Sequence, residues 1–282
     1  MIDYQQLLLL GAIAGFTIFL GLLLPIMKNL NPKAKGFLNA LSLGILIFLI
    51  IDIFSHAWES TEEIVSNAFV GNTSPGDGII HLIVLFGGIA IGLFGLVWYE
   101  HEATIKRVPH ILSLENIKKG DDHLHQLFHE ANAYRLAMMI AVGIGFHNFG
   151  EGLAIGQSYV AGEVGLALLL IMGFATHNAT EGFGISSPIT GLSKKPSIRF
   201  MILLGLIGGV PTFLGTVLGS LWFSSITYIL FLSIAGGALI YVSMLMYNSG
   251  RKHASNSIIM IGIFVGLCLG FGTDLIVSLG GV

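Results

Sequence analysis

Long apolar runs separated by short polar or charged clusters dominate the chain. Breaking the sequence at those clusters leaves eight runs, at about 5–27, 37–58, 78–99, 134–158, 163–187, 199–222, 225–247 and 256–279. A helix needs about 20 apolar residues to cross the hydrocarbon core of a bilayer, and each run comes close to or exceeds that length. The expected fold is an all-α membrane protein of eight transmembrane helices, with residues 1–282 forming a single transmembrane domain. The first run exceeds a signal-peptide core and has no basic residue ahead of it, so it reads as a retained span.

The polar clusters between the runs differ in sign. Lys28, Lys33 and Lys35 fall between spans 1 and 2, while Lys106, Arg107, Lys118, Lys119 and Arg135 fall between spans 3 and 4 or at its edge. Lys194, Lys195 and Arg199 separate spans 5 and 6, and Arg251 and Lys252 separate spans 7 and 8. All 13 basic residues therefore lie on one side of an eight-span arrangement. The opposite loops hold Glu59, Glu62, Glu63, Asp77 and Glu163 and no lysine or arginine, so the positive-inside rule puts both termini outside the cytoplasm.

Composition agrees with a membrane setting. Hydrophobic residues make up 54% of the chain and charged residues 10%, against about 25% charged in a soluble domain. The single cysteine, Cys268, rules out an intrachain disulfide and a thiolate cage, so any metal here is held by nitrogen and oxygen. The 38 glycines, many in small-x-x-small spacing, suit helices packed closely in lipid.

Against this background one hexapeptide stands out, because it occurs twice. His147-Asn148-Phe149-Gly150-Glu151-Gly152 recurs as His177-Asn178-Ala179-Thr180-Glu181-Gly182. In a helix, His and Glu four residues apart lie about 40° apart around the axis and about 6 Å apart along it, which lets both heads reach one point. A carboxylate near the bilayer centre costs about 3 kcal/mol or more, so two of them imply a compensating cation. Spans 4 and 5 run antiparallel from a shared turn. A turn centred near residue 162 levels His147 with His177; one centred near 164 levels His147 with Glu181 and Glu151 with His177. Asn148 and Asn178 sit about 100° from the histidines, placed to add carbonyl oxygens or to hold the ligands by hydrogen bonds.

Two other groups of residues carry metal-type chemistry. Asp52, His56 and Glu59 fall on one stripe of span 2 toward its outer end, spaced to form an access route for a cation. The connection over about residues 100–134, the one long cytoplasmic loop, holds His101, His110, His123, His125 and His129. His123, His125 and His129 with the neighbouring carboxylates can offer weak metal contacts, and the alternative is a solvated loop. His81, which has no such company, reads as structural.

At the paired motifs the sequence resembles the ZIP (Zrt/Irt-like) family of divalent metal transporters. The resemblance extends to the eight spans, the outward termini and the histidine-containing loop between spans 3 and 4. It implies a transport site made by His147, Asn148, Glu151, His177, Asn178 and Glu181, with His56 and Glu59 on the route for metal. It also implies movement of Zn²⁺, or of Fe²⁺, Mn²⁺ or Cd²⁺, toward the cytoplasm as substrate rather than cofactor, with spans 1, 4, 5 and 6 sliding against spans 2, 3, 7 and 8. The expected partners are the metal ion and the lipid bilayer of the cell membrane, with no nucleic acid; a homodimer is one option that the sequence leaves open.

The departures from the family pattern are local. Family motifs often place Pro before the Glu, where this chain has Gly150 and Thr180. Span 6 usually reads G-L-P-E-P-L-G, and here Gly209-Val210-Pro211-Thr212-Phe213-Leu214-Gly215 has Thr212 in place of the Glu, which favours a single bound ion. Span 7 has Met244, Leu245 and Met246 where acidic residues usually follow. Two other classes compete with a transporter: an intramembrane zinc hydrolase, for which the expected H-E-x-x-H is absent, and a proton-conducting or sensory protein that needs no metal. The chain is expected not to be an enzyme.

Overall fold

The computed structural model describes residues 4–23, 31–105, 122–160, 164–190, 192, 195–222, 224–251 and 254–279. Among these residues the regular structure is all helix, with no strand. The helices are α1 (Tyr4–Phe16), α2 (Ile18–Gly21), α3 (Pro32–Phe69), α4 (Pro75–Ile105), α5 (Asp122–Val160), α6 (Val164–Ser186), α7 (Ile198–Leu221), α8 (Ser225–Gly250) and α9 (Asn256–Leu279), with a 3₁₀ turn at Ser187–Ile189. Seven of the described segments are long and apolar enough to cross a membrane, α1 and α2 together counting as one. The expected fifth run, at about 163–187, coincides with the 23-residue α6, which is not one of those seven.

Several helices outrun the apolar stretches that announced them, because helix formation continues where hydropathy stops. Helix α3 starts at Pro32, with Asn31 as N-cap accepting from the Ala34 N–H at 2.7 Å. It runs past Glu59, Glu62 and Glu63 to Phe69, and stops only where Gly71 takes φ +82°. There Gly71 N–H donates to Ala68 O and Asn72 N–H to Asn67 O, the paired bonds of a left-handed C-terminal cap. Helices α4 and α5 likewise extend into the expected loop over 100–134. His101 lies on α4, and the backbone of His123, His125 and His129 belongs to the first turns of α5. The side chains of these three, and all of His110, lie outside the described residues.

The helices pack as two groups. Helices α1, α2, α5, α6 and α7 contact one another, and α3, α4, α8 and α9 form the second group. The groups meet chiefly where α5 crosses α8, with smaller contacts of α6 with α3 and α9. Helix α5 is the most enclosed of these seven: 72% of its most apolar stretch is buried, against 22% for α9. Large apolar side chains on α4 (Ile83, Phe86, Ile91, Phe94, Trp98) point outward, as lipid-facing positions do. The paired motifs therefore sit on α5 and α6, inside the bundle and away from lipid.

Candidate metal site

Both motifs lie on helix that continues without interruption through Gly150 and Thr180. His147, Glu151 and Glu181 are buried, as are Asn148 and Asn178. His147 Nε2 stands 3.3 Å from Glu151 Oε1 on its own helix and 3.9 Å from Glu181 Oε1 on α6. The second distance brings His147 close to Glu181 on the neighbouring helix. The His177 side chain lies outside the described residues. Among those described, no group of three or more His, Cys, Asp or Glu side chains is arranged to hold a metal by itself.

The two asparagines have a definite orientation. Asn148 Nδ2 donates to Gly208 O on α7 at 2.9 Å, and Asn178 Nδ2 donates to Ala14 O on α1 at 2.8 Å. Because a backbone carbonyl can only accept, each amide must turn its NH₂ outward to a neighbouring helix. Both Oδ1 atoms are left buried with no hydrogen-bond partner among the described residues. A buried carbonyl oxygen without a donor is costly in a protein, and a cation is one group that satisfies it.

The carbonyls that accept these amides lie beside helix irregularities. Helix α1 stops at Phe16 and α2 starts at Ile18, and at the break Ala14 O takes the Thr17 hydroxyl at 2.7 Å as well as the Asn178 amide. Within α7, Pro211 lacks an N–H, so the Ile207 carbonyl loses its helical donor and the turn holding Gly208 is loosened. Only the first of these is a break in the helix, since α7 continues through Pro211. Sequence reasoning missed both carbonyls. Pro211 was a visible signal for one, and nothing in the sequence marked Ala14.

The closing glycine of each motif has a packing role. A Cβ at Gly152 would collide with Thr212 O on α7, and one at Gly182 with Ile18 O on α2. Only glycine lets these backbones approach so closely. The first approach puts Thr212 beside the Glu151-Gly152 turn. Thr212 is fully buried, and its Oγ1 has no hydrogen-bond partner among the described residues.

The other expected residues fall in two groups. On α3, His56 Nε2 stands 3.5 Å from Asp52 Oδ1; His56 and Glu59 are exposed while Asp52 is half-buried. Asp52 lies within electrostatic reach of both His147 and Glu181. Asp274 on α9 also acts on His56, a neighbour that spacing along span 2 could not reveal. His81 is structural as expected: Nδ1 pairs with Asp77 O at 2.7 Å and Nε2 with Ser225 Oγ at 2.9 Å.

The fold is that of a polytopic helical membrane protein whose interior buries His147, Asn148, Glu151, Asn178 and Glu181. The chain is 28% identical to the zinc transporter ZupT of Oceanobacillus iheyensis over 270 residues, covering 93% of this chain and 94% of that protein. It is 28% identical to the ZupT of Chlorobaculum parvum over 244 residues, with 86% and 84% covered. The zinc transporter ZIP10 of Mus musculus is 27% identical over 170 residues, 57% of this chain but 20% of that longer protein. No protein-family model matches the chain. These similarities run over most of the length of the two ZupT relatives, so the chain is similar to zinc transporters across nearly all of its spans.

Proposed function

We propose that this chain carries divalent transition-metal cations across a membrane, with Zn²⁺ as the leading substrate and Fe²⁺, Mn²⁺ and Cd²⁺ as candidates, and that it is not an enzyme. The observation that carries the reading is the buried convergence of His147 on the carboxylates of Glu151 and Glu181, with two asparagine oxygens unsatisfied on the same helices. The ion is substrate. It arrives along Asp52, His56 and Glu59 and is held by His147, Asn148, Glu151, His177, Asn178 and Glu181, and the histidines 123, 125 and 129 offer later weak contacts.

The chemistry of such a site is release as much as capture. Two carboxylates offset the loss of the ion's hydration shell, while neutral imidazole and amide donors complete the shell without fixing the ion by excess charge. Two formal negatives balance one divalent cation. The topology that fits the loop charges has eight spans with both termini outside the cytoplasm of a cell membrane, and transport runs inward, with α1, α2, α5, α6 and α7 moving against α3, α4, α8 and α9. Assembly as a homodimer is consistent with this topology. Uptake of Zn, Fe, Mn and Cd by cells expressing the chain tests the reading. The expected result is Glu151- and Glu181-dependent accumulation of at least one of them, and no accumulation of any would refute it.

A further inference from the structure

Thr212 on α7 is fully buried beside the paired motifs, and its hydroxyl has no hydrogen-bond partner among the described residues. A threonine in a helix can give its hydroxyl hydrogen to the carbonyl four residues back. Thr216 does so to Thr212 O at 2.9 Å, and Thr61 on α3 does so to Ala57 O at 2.7 Å. For Thr212 the equivalent acceptor is Gly208 O, which takes the Asn148 amide at 2.9 Å instead. A carbonyl oxygen has two lone pairs, and in a helix one of them serves the N–H four residues on, so none is left for the hydroxyl. Asn148 thereby keeps the Thr212 hydroxyl out of the helix's own bonding.

That hydroxyl lies where the helices of the site meet. The Thr212 Cβ is 3.3 Å from the position that a Cβ on Gly15 of α1 would take, and Gly15 follows Ala14, whose carbonyl holds the Asn178 amide. On another side Thr212 O abuts Gly152, which follows Glu151. The Asn148 amide also faces the Glu181 carboxylate. Thr212 Oγ1, Asn148 Oδ1 and Asn178 Oδ1 are thus three buried neutral oxygens with no hydrogen-bond partner among the described residues, on segments packed around the two glutamates. We propose that the Thr212 hydroxyl oxygen is a further ligand of the transported cation, which rests on the transport reading above. A neutral oxygen adds to the coordination shell without a third negative charge, so it orients the ion without holding it against release.

The test titrates Zn²⁺ into the full-length purified protein against a fluorescent competing chelator, counting only the binding that Glu181→Ala removes. Melting of the metal-free protein is followed in parallel. Thr212→Val keeps the shape and loses the hydroxyl, and is expected to weaken Zn²⁺ binding by about tenfold, the lower end of what losing a supporting group costs a metal site. The metal-free variant is expected to melt at or above the wild-type temperature, because it deletes a buried hydroxyl that has no partner there. Thr212→Ser, which keeps the hydroxyl, is expected to retain the affinity. If Thr212→Val does not fold, Thr212→Ser against Thr212→Ala decides by the same factor, since those two differ by the hydroxyl alone. Equal affinity with and without the hydroxyl, or a loss of affinity matched by a lower melting temperature of the metal-free protein, overturns the proposal and leaves the transport reading standing. Absence of Glu181-dependent Zn²⁺ binding in the wild type overturns both.

Discussion

At the residue scale, the paired glutamates are the most exacting positions. Each is a carboxylate withdrawn from water, and each faces His147. Glu151→Ala and Glu181→Ala are each expected to abolish metal uptake while leaving a folded protein at the membrane, since removing a buried charge also removes its desolvation cost. Uptake at the wild-type rate by either variant, with surface expression verified, would refute a shared site. Thr212 supports a second expectation. It lies against the Glu151-Gly152 turn but brings no charge, so two divalent ions about 4 Å apart would repel each other with too little carboxylate between them. Metal titration of protein lacking His123, His125 and His129 is expected to give one embedded ion per chain, and Thr212→Glu to give more than one. The sequence drew attention to these residues through the repeated H-N-x-x-E-G in apolar stretches, and the structure buries both glutamates. The hydrogen bonds of the motifs were not legible, since Gly208 and Ala14 contribute only backbone carbonyls, which every residue possesses.

At the scale of elements, the apolar runs located the helices well and their ends poorly. Hydropathy reports contact with lipid or core, whereas a helix continues as long as its backbone finds partners and no residue breaks it. Helix α3 passes through three glutamates and ends at a glycine with positive φ, which a window of hydropathy does not register. The helix contacts obey a different rule, closeness of backbones. Gly152 against α7 and Gly182 against α2 leave no room for a side chain, and the obstructing atoms are backbone that cannot rotate away. Gly152→Val and Gly182→Val are expected to destabilise the fold by about 1–3 kcal/mol or more, the cost of overpacking a tight contact. A melting temperature unchanged from wild type in either variant would contradict the packing. Gly87, with open space around it, is the matched control, and Gly87→Ala is expected to be neutral.

At the scale of the whole molecule, movement of one helix group past the other must break whatever joins them. The joint with the most specific geometry is at Arg135 of α5. Its guanidinium pairs with Glu100 of α4, and Glu100 in turn accepts from the Tyr241 hydroxyl of α8. One carboxylate thereby ties a helix of one group to two helices of the other. None of this was visible in the sequence, where Glu100, Arg135 and Tyr241 lie on three separate spans and no spacing relates them. The two contacts stabilise only the conformation that contains them, so Glu100→Gln, which keeps the shape and removes the charge, is expected to shift the population toward the alternative arrangement. A cavity of about 350 Å³ between the groups provides the readout, because one wall comes from α3 and α8 and the other from α5 and the 3₁₀ turn, and the two realign when the groups move. With Cys268, the only native thiol, replaced by Ser, a cysteine placed at Asn132 on the α5 wall reports access from the basic side. Labelling of Asn132→Cys by a membrane-impermeant maleimide is expected to be fast in the Glu100 background and several-fold slower with Glu100→Gln. Restoring opposite charges by pairing Glu100→Arg with Arg135→Glu is expected to recover fast labelling, which separates a broken tie from a damaged helix. Equal labelling rates in all three backgrounds would mean that the Glu100 contacts do not hold the two groups in register.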